Sequence, residues 1–346
     1  MRAARFDAST RKLELVEMPV PEPGPLEVLV RVQACGICLS DVHLLDGTLP
    51  TPLAQVVPGH EAAGAIEKVG ALVPSWRPGQ RVTIAGGRAC GRCRHCARGR
   101  VEECLRPEVM GFAYNGAWAE YVVVPYVVLS AVPDSIPIEQ AAILADAVAT
   151  PYAALTDRSE LRPGEAIGIW GIGGLGVHAV QIARMIGATP IIALDPLAAA
   201  RTRALAVGAD HALDPTAADV KKRILELTGG LGLAVAVDVV GSNRVLAQAD
   251  ECLARFGRLI MVGLSLDPIA LGPGLLFGLN SHALLGHLGY QKRHLDELVK
   301  LVTARRLDVS RSVSDVIPLE DIHDGVERLA KKIGNPIRIV VKPTEA

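Results

Sequence analysis

Residues 165–188 read EAIGIW, then Gly171-Ile172-Gly173-Gly174-Leu175-Gly176, then VHAVQIARMIGA. A short apolar run leads into a glycine-rich turn, and a stretch with helical apolar spacing follows. This order constrains the fold more than any other stretch of the chain. Gly171 permits the tight turn and Gly173 lets the backbone approach a pyrophosphate. Gly176 allows close helix–sheet packing, and the helix N-terminus, which Gly174 helps to open, favours an anion. The next strand-like run, PIIALD, ends at Asp195, 19 residues after Gly176. A carboxylate there is placed to hydrogen-bond a ribose 2′-hydroxyl and to repel a 2′-phosphate. The expected cofactor is therefore a dinucleotide, NAD rather than NADP. Arg201 and Arg203 follow on the next candidate helix and temper that discrimination.

Further apolar runs (DHALD, LAVAVDVV, GRLIMVG and HALLGHLG) alternate with helix-like stretches. These are LAAARTRALAVGA, TAADVKKRILELTG and NRVLAQADECLARF. Alternation with short links predicts a doubly wound parallel sheet. Up to about residue 150 the texture differs. Short apolar runs such as LEVLVRVQAC, AAGAIEKVGA and AEYVVVP are separated by Pro and Gly and predict a β-rich, barrel-like domain. KRHLDELVKLVTARRL and IRIVVKP are expected to return to that first domain.

The chain has 346 residues, a formal net charge of -1 and seven cysteines. Its size suits two domains, and its charge balance argues against a nucleic-acid or membrane surface as the main partner. No apolar run approaches the ~18 residues of a membrane helix, and the N-terminal stretch has no apolar signal region. A cytoplasmic protein is expected, and the odd cysteine count fits a reducing compartment. Cys90, Cys93, Cys96 and Cys104 form C-x2-C-x2-C-x7-C in an Arg-rich loop. In such a compartment four close thiols read as ligands of one zinc ion, with arginines offsetting the excess negative charge. Four cysteine ligands close the site to substrate, so it is expected to be structural.

Three clusters remain: CGICLSDVH (35–43), PGHEAAG (58–64) and ILADAVATPYAAL (143–155). They supply Cys, His, Glu and Asp, all zinc ligands. Cys35 and Cys38 also suit a redox pair, although no thioredoxin-like pattern surrounds them. Asp146 stands among Leu144, Ala145, Ala147 and Val148, and a carboxylate in so apolar a setting needs a partner. Taken together, the clusters predict one open zinc site.

These clusters, the four-cysteine lobe and GIGGLG resemble the zinc-containing medium-chain alcohol dehydrogenases over almost the whole chain. The resemblance implies an α/β protein with a GroES-like catalytic domain, residues 1–153 and 293–346, carrying the structural zinc lobe at 88–105. A Rossmann NAD-binding domain would cover 154–292, with the active site in the cleft between the two. It implies Cys38, His60 and Asp146 as catalytic-zinc ligands, the last a Cys in many members. Glu61 would stand close enough to approach the metal, and it rivals Asp146 as the third ligand. Ser40 would hydrogen-bond the substrate oxygen and His43 would pass the proton to solvent. Thr150 would contact the nicotinamide, Arg338 the pyrophosphate, and Trp118 would wall an apolar pocket left roomy by Gly86 and Gly87. Leu39 stands where some members have a basic cofactor contact. The implied reaction is reversible oxidation of an alcohol to an aldehyde or ketone, with two zinc ions per chain and NAD. Polyols or a pathway-specific hydroxy compound are the alternative substrates. A zinc-free reductase and a non-catalytic zinc- and nucleotide-binding redox sensor are the competing classes. Family members of this length are often tetramers, so a homo-oligomer is expected, a tetramer before a dimer.

Overall fold

The computed structural model describes residues 1–344, which divide into two compact units: Met1–Ala149 with the return from Tyr290, and Thr150–Gly289. The first unit is built around the long strand Glu27–Ile37, whose burial becomes continuous toward its C-terminal end. Its sheet runs Leu129–Ala131, Arg81–Ile84, Glu61–Val69, Glu27–Ile37, Arg338–Lys342 and Val313–Pro318. Tyr121–Pro125 also pairs with the long strand.

The register of this sheet assembles the chemistry. Gly36 stands opposite Glu61 in one antiparallel pairing, and Ile37 stands opposite Ile339 in another. Cys38, His60 and Arg338 therefore leave or enter neighbouring strands at one end of the sheet. Gly36 is needed there, because a Cβ on it would fall 2.2 Å from Glu61 Oε2. A side chain at that position would displace the carboxylate.

The second unit is a six-stranded parallel sheet. Its order is His211–Leu213, Ile191–Leu194, Ile167–Trp170, Leu233–Asp238, Leu253–Met261 and Ala283–Gly286. The strand order reverses beside Ile167–Trp170, at the point where ligands bind in doubly wound sheets. The anticipated mixed α/β architecture is thus the observed one. Trp170, Leu194, Ile224, Leu246 and Leu259 lie in the core on one face of this sheet. One boundary differs from the sequence reading: the helix Asn243–Glu251 stops before Cys252, and ECLARF belongs largely to the strand Leu253–Met261. Phe256 has φ 63°, a left-handed backbone that a continuing helix cannot accommodate.

Candidate functional site

The helix Leu39–Asp46 begins as the long strand ends, with Cys38 at its N-cap. Asp41 Oδ2 accepts the Cys38 N–H at 2.9 Å, and Asp41 Oδ1 lies 3.2 Å from His60 Nδ1. Asp41 is fully buried. It fixes the start of the helix and holds the His60 ring so that Nε2 faces the opposite way, toward Asp146 at 3.6 Å. A carboxylate behind a ligating histidine sets its tautomer and orientation. Sequence reading missed Asp41; its place three residues into a helix that opens at Cys38 was the available signal.

Asp146 arrives by a different route. After the helix Ile138–Ile143 the chain breaks from helical geometry, with Ala145 at φ -75°, ψ 98° and Asp146 at φ 94°, ψ -66°. A non-glycine residue held there costs of order 1–3 kcal/mol, and such strain gathers at functional positions. The turn aims the carboxylate at Cys38: Asp146 Oδ2 is 3.4 Å from Cys38 Sγ. Tetrahedral zinc ligands at normal bond lengths are separated by roughly 3.3–3.8 Å, so these separations fit one metal ion. Donor atoms of Cys38, His60, Glu61 and Asp146 all lie within 4.8 Å of one another.

Glu61 is also buried, but its carboxylate is engaged. Arg338 Nη2 lies 2.7 Å from Oε1, and Arg338 Nε donates to Oε2 at 2.9 Å. Arg338 Nη2 also lies 3.6 Å from Cys38 Sγ and 3.9 Å from Asp146 Oδ2. Arg338 is 2 % exposed, and its guanidinium lies within the Cys38–Glu61–Asp146 cluster. Burial pushes the Cys38 thiol up and raises Glu61 to about 8, in both cases against the pull of Arg338. Burial opposes a charged His60, but Asp41 and Asp146 outweigh it and hold the imidazole well above its usual range. Arg338 offsets Glu61, and the ligand set of a Cys38 thiolate, the Asp146 carboxylate and a neutral His60 carries two negative charges, which a dication offsets. The donor set therefore fits zinc.

Ser40 Oγ lies 3.6 Å from Cys38 Sγ. His43, one turn further along the same helix, is 34 % exposed, with Nδ1 3.6 Å from Asp46 Oδ2, too far for a hydrogen bond. Trp118, the expected pocket wall, is fully buried. It packs against the turn that carries His60, where a Cβ on Gly59 would fall 2.4 Å from Trp118 Cδ1. The aromatic ring beside His60 is Phe112, with centroids 5.7 Å apart, and sequence reading did not single it out.

The other metal centre is the lobe. Sγ atoms of Cys93 and Cys96 are 3.4 Å apart and those of Cys90 and Cys96 are 4.0 Å apart, against ~3.8 Å expected around tetrahedral zinc. Cys104 Sγ accepts the backbone N–H groups of Cys90 and Arg106. N–H groups directed at Cys93, that of Cys96 first, lower its thiol to about 6, as a thiolate ligand requires.

In the second unit the glycine turn has the predicted form. Gly171 sits at φ 90°, and a Cβ on Gly176 would fall 1.8 Å from Gly171 O. Gly173 precedes the helix Gly174–Ile186 and has open space around it. Asp195 Oδ2 accepts the Ile172 N–H and Oδ1 accepts that of Leu197, both at 2.8 Å. Arg201 donates to the Asp195 and Pro196 carbonyls, and Arg203 to that of Ile172. Thr150 is buried, with its carbonyl 3.1 Å from His287 Nε2.

Two family models match the chain. The alcohol dehydrogenase GroES-like domain covers residues 24–134 and the zinc-binding dehydrogenase covers 174–304. An alcohol dehydrogenase of Geobacillus stearothermophilus is 33% identical over 99% of each chain. An NAD-dependent alcohol dehydrogenase of Sulfurisphaera tokodaii is 30% identical over 98% of this chain and 100% of its own. Among solved structures, the alcohol dehydrogenase TADH from Thermus sp. ATN1 superposes with a TM-score of 0.90 at 30% identity over 99% of both chains.

Proposed function

The chain belongs to the zinc-containing medium-chain alcohol dehydrogenases, and from that membership we propose that it moves a hydride between an alcohol and NAD, giving an aldehyde or ketone. The observation that carries the site assignment is the gathering of Cys38, His60 and Asp146 around one ion-sized space while Arg338 ties Glu61 back. We assign those three residues as the catalytic-zinc ligands and Cys90, Cys93, Cys96 and Cys104 as the structural ones.

Bound there, zinc supplies Lewis acidity toward an alcohol oxygen. Ser40 stands beside the thiolate ligand, placed to accept the substrate hydroxyl proton and give up its own. His43, three residues on and partly exposed, takes the proton toward solvent. Asp41 keeps His60 in the ligating orientation, and Glu61–Arg338 sets the local charge. NAD supplies the hydride acceptor, and we assign Gly171, Gly173, Gly174, Gly176, Asp195 and Thr150 to its binding.

A panel of primary and secondary alcohols with each cofactor tests this reading. Steady NADH formation is expected, with kcat/KM at least about tenfold higher for NAD than for NADP, because a 2′-phosphate would meet Asp195. A higher kcat/KM with NADP would overturn the assignment of Asp195. Cofactor binding without turnover on any alcohol would favour the redox-sensor reading.

We further propose a cytoplasmic homo-oligomer, a tetramer before a dimer. No helix among the described residues is long and apolar enough to cross a membrane. Leu266, Leu275, Leu279 and Leu288 are 62–80% exposed in the isolated chain, an apolar surface that self-association would cover. Light scattering is expected to give a multiple of 36.5 kDa, and a monomer at micromolar concentration would exclude this assembly.

A further inference from the structure

Tyr290 opens the return of the chain to the first unit. Its hydroxyl accepts the Gly86 N–H at 3.1 Å and donates to no acceptor among the described residues. Gly86 in turn lies against the ligand His60: a Cβ on it would fall 2.9 Å from His60 O and 3.4 Å from His60 Cβ. The hydroxyl is thus held one residue from the metal centre, within electrostatic reach of Asp146, His60 and Glu61. Burial and the neighbouring acids push its pKa upward, so it stays protonated and able to donate. Tyr290 as a whole residue is half-buried. Its oxygen is already engaged by Gly86, which fixes the direction left for its proton. An oriented, unspent donor favours a ligand that brings an acceptor and disfavours one that offers only carbon.

We infer that Tyr290 is a specificity-determining residue that donates a hydrogen bond to a second oxygen of the substrate, selecting alcohols with a hydroxyl or carbonyl on the neighbouring carbon over plain alkanols. This rests on the alcohol dehydrogenase reading of the Cys38–His60–Asp146 centre. The bond that is oxidised does not change. Hydride still leaves the carbinol carbon for NAD and the hydroxyl proton still leaves through Ser40; Tyr290 holds the oxygen that does not react.

The test compares propane-1,2-diol with butan-2-ol, which differ by a hydroxyl against a methyl. Both are assayed with NAD on the zinc-loaded full-length protein and on Tyr290→Phe, with zinc content and melting temperature recorded for each. The wild type is expected to prefer the diol. In Tyr290→Phe the diol-to-butanol ratio of kcat/KM should fall about tenfold through loss on the diol, with butan-2-ol within about twofold of wild type. An equal loss on both alcohols would mean that Tyr290 only supports Gly86, and an unchanged ratio would remove it from recognition; either overturns the inference. A wild-type preference for butan-2-ol overturns it without the variant. Failure of the wild type to oxidise either alcohol would instead bring down the underlying reading of the site, and this inference with it.

Discussion

Asp146→Ala is expected to lose the catalytic zinc and keep the structural one, taking the metal count from two per chain to one. kcat/KM should drop on the order of a thousandfold or more. Zinc lowers the pKa of a bound water from 15.7 to about 7. Each 1.36 kcal/mol of transition-state stabilisation is tenfold in rate, so even partial loss of that polarisation is large. Two donors, Cys38 and His60, would remain, and Glu61 cannot replace the third without abandoning Arg338. That exchange is unfavourable, since breaking a buried ion pair costs about 3–5 kcal/mol and Arg338 is 2 % exposed. Glu61→Gln should therefore keep both metals, while Asp146→Cys should restore the second, because a thiolate is a softer and tighter zinc donor than a carboxylate. Metal analysis of the three variants decides the matter. Two zinc ions and near-normal turnover in Asp146→Ala would require the site to be rebuilt around Glu61.

The contrast between Asp146 and Arg338 marks how far the site could be read in advance. Asp146 stands out in the sequence because a lone acid in ILADAVAT contradicts its own neighbourhood, and that contradiction is local. Arg338 pairs with Glu61 across 277 residues. Nothing in IRIVVKP shows which side chain will meet its guanidinium, because the register of Ile37 on Ile339 decides it. The places of Trp118 and Phe112 are hidden in the sequence for the same reason. Both are aromatic residues in a loop-rich stretch, and only the fold shows that one supports the His60 turn while the other meets the ring. The parallel sheet was easier to read. Its central strands Ile167–Trp170 and Ile191–Leu194 are fully buried short runs, and the close approach of Gly176 to Gly171 O lies within the glycine turn itself. The helix end at Glu251 was misread because the apolar residues of CLARF suit either periodicity, and the left-handed Phe256 leaves no compositional trace.

Cys93→Ser should unfold the lobe rather than merely loosen it. None of the described residues 87–109 is buried, so this segment has no apolar core of its own. Its regular structure is one two-residue pairing, Gly87–Arg88 with Glu108–Val109, and two single turns, Cys96–Arg98 and Val101–Glu103. Such elements do not hold themselves together in water. The metal takes the place of a core, as it does in small domains whose zinc-binding energy of about 10–16 kcal/mol is their folding energy. The ligands also close a loop of 15 residues, a restriction worth about 3 kcal/mol for a covalent cross-link of that span. Serine is a poor zinc donor at neutral pH, and the three remaining thiolates would repel one another once the dication is gone. The expected result is one zinc ion per chain, a lower melting temperature, and rapid tryptic cleavage at Arg92, Arg94, Arg98 or Arg100, which the metal-bound lobe resists. Two zinc ions, unchanged melting and an unchanged tryptic pattern in Cys93→Ser would show that the four cysteines do not hold a structural metal.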